Sequence, residues 1–157
     1  MLREGQPAPD FELADDTGER VRLSGLRGRP VVLFFYPKDD TPGCTIEACG
    51  FRDAYAAFSE SGAVILGVSP DGETSHARFK EKYGLPFTLL SDSDQVAAQA
   101  YDVWREKATY GKKMMGILRS TFVIDPEGQI AKAMYGVKPD GHAGAVLDVL
   151  RRSAVER

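Results

Sequence analysis

The stretch PVVLFFYPKDDTPGCTIEAC, residues 30–49, decides the fold of this chain and contains both of its cysteines. Its first part, PVVLFFYP, is a continuous run of β-branched and aromatic residues, which is typical of a parallel strand buried on both faces. Thr41 and Pro42 then supply a favourable N-cap and a favourable first helical residue. The spacing of the apolar residues that follow predicts a helix over about residues 42–60, with Cys44 in its first turn.

The rest of the chain continues this alternation of strands and helices. Turn-rich DDTGE predicts an N-terminal hairpin over residues 11–23, and Pro-Glu-Gly predicts a second hairpin over residues 119–136. AVILGVSP and FTLLSD predict further strands, whereas SHARFKEKYG, DQVAAQAYDV and the amphipathic HAGAVLDVLRR predict helices. The order predicts an α/β fold with a mixed central sheet flanked by helices, formed as a single domain over residues 1–157.

One segment lacks a clear pattern. Residues 104–118, WREKATYGKKMMGIL, are polar, interrupted by glycine and only weakly periodic. They predict a loop or an irregular ribbon near the surface, with Trp104 packing at its edge and the Lys-Lys-Met-Met stretch either solvated or forming a flap beside a site.

Composition excludes several classes of function. The chain has 157 residues, with 20 Lys and Arg against 23 Asp and Glu, so it has no basic excess for binding nucleic acid. It has no apolar stretch of the length of a signal peptide or a membrane helix, which predicts a cytoplasmic protein without membrane contact. Its two cysteines are too few for a secreted disulfide scaffold and do not have a zinc-site spacing, so we expect a catalytic pair and neither a metal nor a cofactor.

Cys44 lies where a cysteine becomes reactive. If Thr41 is the N-cap, Cys44 is the third helical residue, among backbone N–H groups that have no intrahelical partner. Those donors and the positive end of the helix dipole favour a thiolate over a thiol. The position also follows the carboxyl end of a central strand, where α/β sheets usually place their sites. A buried, inert cysteine is the alternative for this residue.

The second cysteine, Cys49, favours a reactive Cys44 over an inert one. On an ideal helix the Cα atoms of Cys44 and Cys49 would be about 8.7 Å apart. A disulfide requires Cα atoms closer than about 7 Å, so this pair cannot bond while the helix is intact. We therefore predict a transient disulfide that forms after oxidation, when the first turns of the helix unwind.

Several motifs together resemble one known family. YPKDDTPGCTIEACGFRD is similar to the active-site segment of peroxiredoxins, with the signature P-x-x-x-[ST]-x-x-C at Pro37, Thr41 and Cys44. The pattern C-T-x-E-A-C, which ends at Cys49, resembles the bacterioferritin-comigratory or Q-type subgroup. Residues 111–125, the opening EGQPAPDFEL and the late GHA also match that subgroup.

The resemblance implies a thioredoxin fold with an N-terminal β-hairpin extension, in a monomeric thiol peroxidase. It implies that the Cys44 thiolate attacks hydrogen peroxide or an organic hydroperoxide, that Cys49 resolves the sulfenic acid, and that thioredoxin or a glutaredoxin-like dithiol recycles the disulfide. Arg119 is implied as the signature arginine, which donates to the peroxide together with Thr41 and the Cys44 amide. Pro37 would shield the sulfenate and fix the loop.

Plainer interpretations of these residues stay open at this point. Thr41 is also explained as a helix cap alone, and Arg119 as a solvated or salt-bridged side chain. Glu47 is either an exposed helix residue or a partner that holds the arginine. His76 and His142 follow no metal or triad pattern, and we expect both at the surface or at helix ends.

Two other functions compete with the peroxidase. A thioredoxin-like disulfide reductase relies on C-x-x-C, a spacing that this sequence lacks. A peroxide-sensing redox switch would use the same cysteines but would be oxidised once rather than turn over.

Overall fold

The computed structural model describes residues 1–156, apart from the side chains of Thr109 and Glu156. Nine strands follow one another within these residues, and their bounds are β1 Glu12–Asp15, β2 Arg20–Arg22, β3 Val31–Phe35, β4 Val64–Ser69, β5 Thr88–Ser91, β6 Trp104–Thr109, β7 Lys112–Ile117, β8 Ser120–Ile124 and β9 Ile130–Tyr135. The α-helices are α1 Pro42–Asp53, α2 Tyr55–Glu60, α3 Glu73–Tyr83, α4 Val96–Ala100 and α5 His142–Glu156, and a 3-10 turn covers Leu23–Leu26.

Seven strands form one mixed sheet in the order β2-β1-β5-β4-β3-β8-β9. The central strands β3, β4 and β5 are parallel, whereas β1 and β2 on one side and β8 and β9 on the other are antiparallel to their neighbours. This arrangement confirms the predicted α/β fold, its mixed central sheet and its N-terminal hairpin.

Strand β3 separates two apolar layers, as a strand buried on both faces must. Phe35 packs on one face with Tyr101, next to the end of α4, and with Phe122 of β8. Phe34 packs on the other face, where its ring stacks on Phe51 of α1 at a centroid distance of 4.8 Å. Helices therefore cover both faces of the sheet, and α1 is held at the carboxyl end of β3.

The single helix predicted over residues 42–60 is instead two helices, α1 and α2, which meet at Ala54 with φ −95° and ψ 5°. Helix α1 packs against α5, whereas α2 packs against β4. The predicted helix is therefore interrupted at Ala54, and its two parts pack against different elements.

The loop predicted over residues 104–118 is wrong, since this segment is a regular hairpin. Strands β6 and β7 pair from Trp104 opposite Ile117 to Thr109 opposite Lys112. Tyr110 and Gly111 have φ values of 52° and 77°, the pair of positive values required by the tight two-residue turn of a hairpin. Among the described side chains of the hairpin, those at its base, Trp104 and Ile117, pack on the core. Its strands therefore lack the apolar alternation from which a strand is predicted.

Within the described part of the chain, none of the helices is both long and apolar enough to cross a membrane.

Candidate active site

Cys44 is the third residue of α1 and is buried, with 2% of its surface exposed. Thr41 has the extended backbone of an N-cap, and its carbonyl accepts the first intrahelical bond from the Thr45 N–H at 2.9 Å. The Cys44 amide therefore precedes that first bond, inside the turn where N–H groups are available to a ligand. The predicted placement of Cys44 at a helix N-terminus is confirmed.

Arg119 reaches the cysteine from the opposite side of the site. It immediately precedes β8, and the pairing of Ser120 with Phe35 brings it level with the carboxyl end of β3. Its Nη2 donates to Cys44 Sγ at 3.4 Å, and its Nη1 donates to Glu47 Oε1 at 2.8 Å. The guanidinium thus joins the sulfur to a carboxyl group one helical turn further along α1.

The approach of Arg119 depends on a residue without a side chain. A Cβ placed on Gly43 would lie 3.1 Å from Arg119 Nη2 and 3.5 Å from Pro139 Cγ. Because the guanidinium crosses directly over Gly43, a larger residue there would require the guanidinium to shift by a few tenths of an ångström.

Glu47 is the least exposed charged group of this site, since none of its side-chain surface is accessible. Burial raises the pKa of Glu47 to about 7, against the opposing effects of the Arg119 charge and hydrogen bond. For Arg119, burial would lower the pKa, but the charges of Glu47 and Cys44 and its hydrogen bonds to them outweigh burial and raise it. The alternative of an exposed Glu47 is wrong, and the alternative of a partner for the arginine is confirmed.

His142 lies beside this pair at the start of α5. Its Nε2 is 2.7 Å from Thr121 Oγ1 and 3.9 Å from Glu47 Oε2, an oxygen that makes no hydrogen bond to any described residue. Burial, followed by the charge of Arg119, lowers the pKa of His142 to about 4, so the ring is neutral near neutral pH. The residue occupies a helix end, as expected, but it is buried rather than at the surface.

Thr41 and Pro37 lie on the segment that connects β3 to α1. Thr41 Oγ1 donates to the Lys38 carbonyl at 2.8 Å and makes no capping bond to the helix. Its hydroxyl therefore folds the connecting segment back on itself, and capping by this side chain, which the sequence predicts, does not occur. Pro37 is half-buried directly after β3 and the buried Tyr36.

Cys49 is half-buried in the middle of α1, and both cysteines are free thiols. Helix α1 is continuous from Pro42 to Asp53, so the two cysteines belong to one intact helix. This is the intact-helix state in which we predict that the pair cannot be bonded.

The β6–β7 hairpin brings a further cation close to the cysteine. Lys107 lies across Gly116 of the facing strand, where a Cβ would be 3.1 Å from Lys107 Cδ. Burial, followed by the charge of Arg119, lowers the pKa of Lys107, and the charge of Cys44 opposes that shift. Among the described residues, no group of three or more histidine, cysteine or acidic side chains is placed to hold a metal ion.

Sequence reasoning missed a second buried histidine besides His142. His76 is 0% exposed, and its Nδ1 is 2.7 Å from Asp39 Oδ2. The expectation of a surface residue is wrong because α3 turns this ring inward onto the segment before α1. A signal for its burial was available in Asp39, an acidic residue next to a buried strand that requires a partner.

Comparison with known proteins gives one consistent family. Residues 4–133 match the AhpC/TSA family. The chain is 53% identical to peroxiredoxin Bcp of Bacillus subtilis over 147 residues, 94% of each protein. It is 42% identical to peroxiredoxin Bcp of Escherichia coli over 153 residues, 98% of each.

Solved structures give the same relationship. The bacterioferritin comigratory protein of Xanthomonas campestris, described for its alkyl peroxide reduction activity, superposes with a TM-score of 0.91 at 42% identity, covering 97% of this chain and 99% of that one. A cysteine-to-serine mutant of PrxQ from Xylella fastidiosa superposes with a TM-score of 0.93 at 37% identity, covering 98% of both chains. These similarities confirm the predicted thioredoxin fold.

Proposed function

Because the chain belongs to the AhpC/TSA family and is a peroxiredoxin of the Bcp type, we propose that it reduces hydroperoxides through a cycle of Cys44 and Cys49. The observation that carries this proposal is the contact of Arg119 Nη2 with Cys44 Sγ at 3.4 Å, at the N-terminus of α1. A guanidinium and a helix terminus at one sulfur both stabilise a thiolate, the nucleophilic form of cysteine.

In the first step the Cys44 thiolate attacks the terminal oxygen of a hydroperoxide. The new S–O bond forms as the O–O bond breaks, so the sulfur becomes a sulfenic acid and the alkoxide or hydroxide leaves with the electron pair and takes a proton. Negative charge develops on both oxygens, and the Arg119 guanidinium and the Cys44 amide are donors we assign to them. The Thr41 hydroxyl is the third, and it must first release the Lys38 carbonyl, to which its one hydrogen is donated in this structure. Pro37 keeps water from the sulfenate.

In the second step the Cys49 thiol condenses with the sulfenic acid, forming the disulfide and releasing water. This step requires α1 to unwind, since an intact helix keeps the two Cα atoms about 8.7 Å apart. Two features of α1 favour unwinding: Gly50 lies in its interior, and its N-cap makes no side-chain bond. Glycine in a helix interior is less favourable than alanine by about 1 kcal/mol.

Reduction of the disulfide completes the cycle, and thioredoxin or a glutaredoxin-like dithiol is the partner we assign to it. We propose hydrogen peroxide and organic hydroperoxides as substrates, and the activity described for the Xanthomonas campestris relative supports the organic class. A monomer in the cytoplasm is the form we propose for the enzyme.

Substitution of each cysteine separates this function from its alternatives. We expect Cys44→Ser to abolish peroxide consumption in the presence of thioredoxin and its reductase. Cys49→Ser should allow one fast oxidation, seen as a sulfenic acid by mass spectrometry after one equivalent of peroxide, and should impair recycling. Undiminished turnover by Cys44→Ser would refute the proposal, and a single oxidation without turnover in the unmodified protein would favour a redox switch.

A further inference from the structure

Two adjacent aspartates fasten the segment between β3 and α1 to helix α3. Asp39 lies at the N-terminal part of α3, where its Oδ2 accepts from Ser75 Oγ at 2.8 Å and is 2.7 Å from His76 Nδ1. Its Oδ1 accepts from Tyr36 Oη at 2.5 Å. The carboxyl group of Asp39 is thus surrounded by polar groups from α3 and from Tyr36, the residue after β3, while only 7% of Asp39 is exposed.

Asp40 makes the second attachment, at the C-terminal end of α3. Its carboxylate accepts from Lys82 Nζ at 2.7 Å and from Tyr83 Oη at 2.6 Å. The backbone of Asp40 has φ 57°, a left-handed conformation that is costly for a residue other than glycine. Contacts on both sides of this residue hold the segment in that conformation.

Hydrogen bonding assigns a proton to the buried pair of Asp39 and His76. His76 Nε2 is 2.9 Å from the Leu90 carbonyl oxygen, which can only accept, so Nε2 carries a hydrogen. The 2.7 Å contact between Nδ1 and Asp39 Oδ2 then requires one more proton, held on either the ring or the carboxyl. Without that proton, two lone pairs would face each other in a buried site.

These contacts join three elements at one point. The ring of His76 belongs to α3, Leu90 to β5, and Asp39 to the segment that leads into α1. A buried pair of this kind adds little net stability compared with apolar residues of the same size. The effect of the pair is to fix the position of the connecting segment, because its hydrogen bonds form in a single arrangement of that segment.

We propose that His76 is a positioning residue of peroxide reduction, which acts through Asp39 and their shared proton to hold Pro37 and Thr41 in place beside Cys44. The inference rests on the proposed function, since it concerns the segment that carries those two residues. Among the described residues, His76 makes no hydrogen bond to either cysteine or to Arg119. It acts only through the segment that Asp39 anchors.

A matched pair of amide substitutions tests the proposal. In His76→Asn the amide nitrogen takes the place of Nδ1 and can still donate to Asp39, whereas in His76→Gln it takes the place of Nε2 and keeps only the bond to Leu90. Each variant loses one of the two short bonds, and His76→Gln also loses the longer contact of Nδ1 with Tyr36 Oη at 3.4 Å. A merely structural histidine would therefore be affected similarly by both substitutions.

The rate to be measured is the second-order oxidation of Cys44 by peroxide in a Cys49→Ser background, followed by stopped-flow fluorescence of Trp104. We expect His76→Gln to slow this rate at least about tenfold, since small misplacements in a site cost up to about 100-fold. His76→Asn should stay within about threefold of the parent. Tyr135→Phe, which removes a hydrogen bond to the Tyr101 carbonyl away from this cluster, serves as a control and should not alter the rate.

Alkylation of Cys44 by iodoacetamide distinguishes positioning from a loss of thiol reactivity. This reagent requires a thiolate but has no O–O bond to align, so His76→Gln should not slow alkylation. Equal rates of oxidation in both variants, or equal slowing of oxidation and alkylation in His76→Gln, would overturn the proposal. If the parent itself does not consume peroxide, the proposed function fails instead.

Nitrogen-15 NMR of the intact parent protein tests the proton assignment without any substitution at His76. We expect a hydrogen on Nε2 of His76. A ring with a bare Nε2 would contradict the shared proton and, with it, the positioning role, whether or not the amide variants fold.

Discussion

Glu47 is the group whose protonation we expect to give this protein an unusual dependence of stability on pH. Its pKa is raised from 4.5 to about 7, mainly by burial. Between these two values the folded protein keeps the proton, whereas the unfolded chain releases it. The folded state therefore binds more protons in this window, and the free energy of unfolding falls as the pH rises.

The size of the effect follows from the difference between the two pKa values. At 1.36 kcal/mol per pKa unit, a shift from 4.5 to about 7 corresponds to about 3 kcal/mol of lost stability once the pH exceeds the folded value. Most of that loss, about 2 kcal/mol, lies between pH 5 and pH 8. A loss of this size is a large fraction of the stability of an ordinary domain.

Glu47→Gln removes the titration and keeps an oxygen that can accept from Arg119. We expect urea denaturation of the reduced protein to show the unmodified chain losing about 2 kcal/mol relative to this variant between pH 5 and pH 8. His142 acts in the opposite sense, since its lowered pKa of about 4 makes the folded protein less stable as the pH falls below 6.5. That contribution is present in both proteins and largely cancels in the difference.

If the difference in unfolding free energy between the unmodified protein and Glu47→Gln does not change with pH, the assignment of a proton to Glu47 is refuted. A difference that grows in the opposite direction would mean that the Arg119 charge outweighs burial. The slope of unfolding free energy against urea must stay the same in both proteins for the comparison to hold.

Three further substitutions test the geometry around the sulfur. Arg119→Lys should slow oxidation of Cys44 by on the order of 100-fold, because one ammonium cannot reproduce the fork that donates to both Glu47 and the sulfur. Circular dichroism should show an unchanged fold, and stopped-flow rates equal to those of the parent would contradict the expectation. Gly43→Ala should slow oxidation of Cys44 several-fold, because its methyl group displaces the guanidinium. Alanine favours a helix over glycine by about 1 kcal/mol, so the melting temperature should not fall while the oxidation rate does. Thr41→Val should lose about 1 kcal/mol of stability with its bond to a loop carbonyl, whereas Thr41→Ser should keep it, and equal urea midpoints for the two variants would argue against that bond.

The elements predicted best from the sequence are those fixed by neighbouring residues. Strand β3 is a continuous apolar run because both of its faces are covered, and α1 begins at Pro42 because proline fits the first helical position without losing a hydrogen bond. The place of Cys44 at the helix start follows from these two facts alone. Local chemistry was sufficient there.

The features that could not be predicted depend on residues far apart in the chain. Glu47 and Arg119 are 72 positions apart, and Asp39 and His76 are 37 apart. Only the resemblance to a family placed Arg119 beside the sulfur. The one sign that His76 would be buried, the acidic Asp39 next to a buried strand, does not identify its partner. The β6–β7 hairpin escaped prediction for another reason, because its stability depends on backbone pairing and a turn rather than on apolar alternation.

Burial of Glu47 also couples pH to the proposed resolution step. When the first turns of α1 unwind, Glu47 reaches water, and the cost of ionising it in the interior disappears. The unwound form is therefore favoured as the pH rises through about 7, by up to the same 3 kcal/mol that the folded helix loses.

We expect the rate at which the Cys44 sulfenic acid forms a disulfide with Cys49 to rise more steeply with pH in the unmodified protein than in Glu47→Gln. Ionisation of the Cys49 thiol accelerates this step in both proteins, so the ratio of the two rates isolates the contribution of Glu47. Rapid quenching followed by mass spectrometry of the disulfide between pH 5 and pH 8 measures that ratio. A constant ratio would show that Glu47 stays buried while the disulfide forms, and the unwinding of α1 would then have to stop before its second turn.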